Sequence, residues 1–104
     1  MSYAIMKNIR PFFRTHSTPK DENFQTWVQP QDYVALEVGC GAGLHPILWA
    51  KQNPNKKLIA IERTKNKFNS FQQRLKNNEG RNIYPIYADA SDWVPANLTT
   101  HSIN

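Results

Sequence analysis

The 104-residue chain holds a single cysteine, Cys40. No disulfide can close within it, and no thiolate cluster can hold zinc. A reducing compartment fits that composition. No stretch approaches the run of about 18 apolar residues that reads as a membrane-spanning helix. Residues 1–13 contain Lys7 and Arg10 but no apolar core of signal-peptide length. The expectation is a soluble, cytoplasmic protein with no membrane partner. His16 and His101 lie in polar connectors and show no metal-ligand spacing, and no metal is expected; His45, near the start of a helix, suits a solvated or packing role better than contact with a ligand carboxylate. There is no internal repeat and no low-complexity tract. Glycine is scarce, with four in all, and three of them stand at 39, 41 and 43. Two nucleotide signatures are missing, the phosphate-binding G-x-x-x-x-G-K-[ST] loop and the dinucleotide G-x-G-x-x-G fingerprint.

What is present is enough for one small domain. Hydrophobic residues make up 39% and aromatics 12%, which favours a folded chain, because aromatics supply much of the burial that offsets chain entropy. The formal charge is +5. Such an excess suits solubility, and it also suits a polyanionic partner, of which nucleic acid is the commonest.

Residues 1–31 are polar and interrupted by Pro11, Pro19 and Pro30, and they read as an extended arm with a basic start (Lys7, Arg10, Arg14, Lys20). Asn23 to Val28 suits a short helical turn anchored by Phe24 and Trp27. Order is expected from residue 32 onward. Tyr33 to Val38 is an apolar run of the kind buried on both faces of a parallel sheet. Leu44 to Gln52 reads as a helix, with Leu44, Ile47 and Leu48 on one face and Pro46 tolerated in the first turn. Leu58 to Ile61 is a second buried strand. Thr64 suits the N-cap of a helix over 65–78, where Phe68, Phe71 and Leu75 form one apolar stripe and Gly80 marks the stop. Ile83 to Tyr87 is a third strand, and Pro85, which has no amide donor, places it near an edge. Asp89 to Trp93 follows as a turn or short helix, and Asn97 to Ser102 as a polar connector. The alternation predicts an α/β fold around a parallel sheet.

Three features then fall at the carboxyl ends of three successive strands, where open α/β sheets bind ligands. Gly39, Gly41 and Gly43 allow sharp turning and close approach of a ligand to the backbone. Glu62 follows the second strand, 19 positions beyond Gly43, where a carboxylate can accept from both hydroxyls of a ribose. Asp89 and Ala90 follow the third. A carboxylate and a backbone amide together match the edge of an adenine. The G-x-G-x-G spacing, with Glu37 two residues ahead of it, disfavours a nicotinamide dinucleotide.

Glu37-x-Gly39-x-Gly41-x-Gly43 resembles the first motif of class I methyltransferases. More narrowly, Leu36 to Gly43, then Ala50-Lys51-x-x-Pro54, then Ile59 to Glu62, is similar to the tRNA (guanine-N(7))-methyltransferase family. Asn82 to Ala90 matches that family's third strand and the Asp-Ala after it. Arg10-x-Phe12-x-Arg14 resembles its basic arm. The resemblance implies a Rossmann-like class I methyltransferase fold, S-adenosyl-L-methionine as cofactor, and tRNA as partner. It implies that Gly39, Gly41 and Gly43 line the methionine and ribose part of the cofactor, with Glu37 anchoring the loop or meeting the cofactor's amino group. Glu62 would hold the ribose, and Asp89 and Ala90 the adenine. Ala60 stands where the family usually has Gly, and Arg63-Thr64-Lys65 where it has Val-His-x.

Family members are longer, and their target-base residues lie on a fourth strand. This chain stops at Asn104, where that strand would begin. The expectation is therefore the N-terminal half of a cofactor domain, about three βα units over 32–104, with catalytic residues beyond Asn104. The contrasting reading is a non-catalytic half-domain that binds cofactor or tRNA, or a class I methyltransferase with another substrate. Three parallel strands would leave an exposed sheet edge, open to self-association. Cys40 suits a small residue in a glycine loop better than a nucleophile, since no partner base is identifiable. The cations Arg63, Lys65, Lys67, Arg74, Lys76 and Arg81 suit either a solvated helix face or a phosphate-docking patch. Trp27, Trp49 and Trp93 suit packing.

Overall fold

A computed structural model describes residues 2–7, 19–78 and 82–98. In chain order the described elements are β1 (Ser2–Lys7), α1 (Glu22–Trp27), β2 (Tyr33–Val38), α2 (Leu44–Gln52), β3 (Lys57–Glu62), α3 (Lys65–Asn78), β4 (Ile83–Tyr87) and α4 (Ala90–Asn97). Arg10, Phe12, Arg14, His16, Gly80, Arg81 and residues 99–104 lie outside the described residues.

β3 shows why the molecule is layered. Residues 58–61 are all apolar and all buried, and successive side chains of a strand point to opposite faces. Leu58 and Ala60 pack with Ile47 and Ala50 of α2 and Phe68 and Phe71 of α3. Ile59 and Ile61 pack with Phe24 of α1 and Trp93 of α4. Two helices cover each face. β2, β3 and β4 run parallel, with Val38 beside Ile61 and Glu62 beside Tyr87. The sheet advances in one direction from β2 to β4, so the two right-handed crossovers place α2 and α3 on the same side. The α/β class and the parallel core thus form as the alternation predicts.

Three local readings need correction. The irregular arm contains a strand: β1 pairs antiparallel with β2 along its whole length, from Ser2 opposite Val38 to Lys7 opposite Tyr33. One edge of the three-stranded parallel core, the outer side of β2, is therefore paired within the chain. The order is β1-β2-β3-β4, and β4 lies at the far edge, where its Pro85 leaves no amide unpaired. Second, Leu44 and Leu48 do not face the core. They are 67% and 55% exposed, and Pro46, Ile47 and Ala50 are buried instead. The helix seats its small and branched residues on the sheet, which turns the two leucines outward. Third, α4 runs on to Asn97, which was read as the start of a connector. Asn97 is fully buried.

Asn97 belongs to a polar clasp that the sequence did not reveal. Its Oδ1 accepts from the Asp21 amide at 2.7 Å, and its Nδ2 donates to the Trp93 carbonyl. Asp21 caps α1 by accepting from the Phe24 amide, and the Tyr84 hydroxyl donates to the same oxygen at 2.7 Å. Phe24 sits edge-on to Trp93, with ring centroids 5.0 Å apart. One carboxylate thus joins α1, β4 and α4 and holds the α1 and α4 layer on the sheet. Asp21→Ala removes a helix cap and leaves the Tyr84 hydroxyl without its acceptor. A loss of about 2–3 kcal/mol is expected, measured by urea unfolding. Asp21→Asn, which keeps one acceptor oxygen, should lose less.

Candidate functional site

The parallel register brings the carboxyl ends of β2, β3 and β4 into one row, and a cleft of about 420 Å³ opens above them. That volume lies within the range of small-ligand sites, about 300–1,000 Å³. Val38, Gly39 and Gly41 form one side of the cleft. Ile61, Glu62 and Thr64 form its middle, and Ala88, Asp89 and Ala90 the other side. Arg63 and Lys67 also line it. Five residues singled out from the sequence, Gly39, Gly41, Glu62, Asp89 and Ala90, therefore meet around one space. Glu37 and Gly43 stand outside its lining.

The glycines divide by role. Gly39, Gly41 and Gly43 have φ of 75°, 60° and 91°, a left-handed region that side chains with a Cβ rarely adopt. A Cβ built on Gly39 or Gly41 meets nothing within 4 Å, whereas one on Gly43 would lie 2.2 Å from the Phe71 ring. Gly39 and Gly41 thus keep a bare backbone toward the cleft. Gly43 caps α2 and lets the loop lie flat on α3. The loop is no phosphate cradle: the Gly39 and Cys40 amides donate to the Ile61 carbonyl, and the Gly43 amide to Cys40.

Glu62 fixes this loop. Its Oε1 accepts from the Gly41 amide at 2.8 Å, and its Oε2 from the Thr64 amide at 2.9 Å. Burial alone would raise its pKa. The Thr64 and Gly41 amides, the Thr64 hydroxyl and the nearby Lys67 charge outweigh that and hold it below the usual carboxylate range. The depressed value means that Glu62 contributes stability above the ordinary glutamate pKa, and that this is lost only as pH falls through the lower folded value. Asp89 caps α4, its Oδ1 accepting from the Ser91 amide at 2.9 Å and the Ser91 hydroxyl at 2.7 Å. Those two bonds, with a lesser contribution from Arg63, lower its pKa as well. They take up about half of the acceptor positions of a carboxylate.

Glu37 is fully buried on the opposite face of β2 from Val38. Its Oε1 lies 2.6 Å from Nδ1 of His45 in the first turn of α2. Its Oε2 is buried with no hydrogen-bond partner among the described residues. This link spans the glycine loop from behind. Nothing in the sequence spacing announced it, because the two residues meet only when the loop folds back. Cys40 is buried, and that burial pushes its thiol up to about 12, with the charges of Glu37 and Glu62 acting in the same direction. Trp93 is a packing residue, absent from the cleft lining and buried against Phe24. Among the described residues no group of three or more His, Cys, Asp or Glu is placed to hold a metal ion. None of their helices is long and apolar enough to cross a membrane.

A protein-family model described as "Putative methyltransferase" matches residues 31–104, well over half of the chain. The chain belongs to this methyltransferase family. The solved structure named "StiE O-MT residues 961-1257" superposes on the chain with a TM-score of 0.51 at 24% identity. The match covers 56% of the present chain and 21% of that structure, so the chain spans only part of its solved relative. The likeness confirms the Rossmann-like fold. No curated protein matches the chain.

Two outcomes follow from the loop. Gly43→Ala combines a strained φ with the Phe71 clash, and is expected to cost at least about 2 kcal/mol in denaturant unfolding; Gly39→Ala should cost less, since its Cβ meets open space. In the native protein at pH 8, Cys40 should resist alkylation by iodoacetamide, and should react once urea unfolds the chain.

Proposed function

We propose that this methyltransferase binds S-adenosyl-L-methionine in the cleft and methylates N7 of a guanine in tRNA. One observation carries the cofactor reading. Glu62 and the Asp89–Ala90 pair, from successive strand ends, line a single cleft whose third side is bare glycine backbone. The spacing suits an adenosine. Three donors already meet Glu62, which leaves about one acceptor position for a ribose hydroxyl. Asp89 has acceptor positions left for an adenine amino group, and the Ala90 amide, in the first turn of α4, is one of the helix donors without an intrahelical acceptor. Glu37, outside the cleft lining, supports the site from behind by anchoring the glycine loop to His45. When bound, the cofactor supplies a methyl group already activated on a sulfonium centre. The chain's own contribution is positioning and electrostatics.

The choice of tRNA guanine rests on the family resemblance of Leu36–Gly43, Ala50–Pro54, Ile59–Glu62 and Asn82–Ala90, and on the basic charge. A guanine N7 carries a lone pair and no proton, so its methylation requires no general base. Self-association through the outer edges of β1 or β4 is proposed only as a secondary property, since β2 is already paired on both sides.

Calorimetry with S-adenosylhomocysteine tests the cofactor site. Glu62→Ala should weaken binding by about 1–3 kcal/mol, because a ribose acceptor is lost and the Gly41 amide is released. Unchanged affinity would remove Glu62 from the site. Labelled S-adenosyl-L-methionine with unmodified tRNA and the full gene product tests the substrate. Label is expected in 7-methylguanosine after nuclease digestion, and label in any other base would sink the guanine assignment.

A further inference from the structure

The basic excess of the chain falls on two segments, residues 1–20 and α3 with the turn that leads into it. Residues 63–76 hold Arg63, Lys65, Lys67, Arg74 and Lys76 with no acidic residue, while the other 90 residues hold eight basic and eight acidic ones. Four of those eight basic residues, Lys7, Arg10, Arg14 and Lys20, stand in residues 1–20, so beyond that segment the positive charge sits on α3 and the turn that leads into it. A solvated helix face ordinarily mixes the two signs. Here the first turn of α3 contains no acid, and its lysines lie at the positive end of the helix dipole, an unfavourable placement for a helix selected on stability alone.

The cations are arranged as well as numerous. α3 seats Phe68, Phe71 and Leu75 on the sheet side. Lys67 and Arg74, seven residues apart, fall on one flank of that stripe, about 10 Å apart along the axis. Arg63 and Lys67 line the cleft, and their charges act on Asp89 and Glu62 within it. The row therefore begins at the cleft mouth and runs two turns down the exposed flank of α3. Between and beside the cations the exposed residues are Asn66, Asn69, Ser70, Gln72 and Gln73. These polar groups suit phosphate and sugar oxygens. None is an apolar side chain of the kind that inserts into a bilayer.

We propose that Arg63, Lys67 and Arg74 form a phosphate track that holds the RNA backbone beside the mouth of the cofactor cleft. The proposal rests on the reading of the cleft as a methyl-transfer site. It adds the surface along which the substrate backbone lies: along α3, past Lys67, to the mouth of the cleft.

The test is binding of an unmodified tRNA transcript to the full chain without cofactor, followed by fluorescence anisotropy across a salt series. Each phosphate contact contributes roughly 0.7–0.9 to the slope of log affinity against log salt. Lys67→Ala/Arg74→Ala should therefore flatten the slope by about 1.4–1.8 and weaken binding about tenfold or more near physiological salt. Lys51→Ala, in the last turn of α2, should change neither quantity. Both altered side chains are exposed, the melting of the double variant is read beside its binding, and Lys67→Arg/Arg74→Lys should keep the parent slope. An unchanged slope in the alanine variant overturns the track. So does an equal effect of Lys51→Ala, which would indicate diffuse charge, or equal competition by phosphatidylserine vesicles, which would indicate a membrane surface. Methyl transfer is read separately: its absence with the slope effect intact would sink the enzymatic reading and leave the track standing.

Discussion

The Glu62 carboxylate sits at the point where three elements meet, and the shape of the cleft depends on it. One oxygen holds the amide of Gly41 and the other the amide of Thr64. The glycine loop after β2 and the turn after β3 are thereby tied to the same side chain. A charged acceptor bonded to backbone amides makes stronger bonds than a neutral pair, and it fixes two main-chain segments that have no ladder to hold them. From behind, Glu37 ties the far end of the loop to α2 through His45. A loop of glycines has little intrinsic preference for one shape. Between these two carboxylates it has one, and Gly39 and Gly41 are left with their bare backbone toward open space.

The clamp works because the sheet beneath it is rigid. β3 is covered on both faces, by α2 and α3 on one side and by α1 and α4 on the other. The α1 and α4 layer depends in turn on Asp21, whose carboxylate meets Tyr84 and the first turn of α1 while its amide meets Asn97. That network stands apart from the cleft residues, so the chain separates its structural carboxylate from those that face the ligand. Asp89 does both jobs: it caps α4 and lines the cleft.

Charge follows the same division. Acidic side chains at the strand ends are engaged by amides, which hold Glu62 and Asp89 in the ionised form and make the floor of the cleft an acceptor surface. The cations stand at its mouth and along α3. An acceptor floor suits hydroxyl and amino donors of a small ligand, and a cationic lip suits the phosphates of a large one. The two recognition problems are thus placed side by side without competing for the same groups.

The sequence by itself determined the strands and helices of the α/β core, because apolar runs buried on both sides and an apolar stripe in α3 admit few other arrangements. It also determined the residues at the strand ends, since glycines, an acid and an Asp-Ala pair at those spacings have few alternative uses. It did not determine the face that α2 presents, because Leu44 and Leu48 fit a helical stripe as well as Pro46 and Ala50 do, and only the packing surface chooses. It did not reveal β1, whose pairing is non-local and whose residues lie in a segment read as an extended arm, nor the Asp21 clasp, whose members are more than sixty positions apart. The division of the glycines came from tertiary structure alone: Gly43 is required by the Phe71 ring, and Gly39 and Gly41 by the space above them. Spacing along a chain records which backbone must bend, and only the folded neighbours show whether it bends for packing or for a ligand.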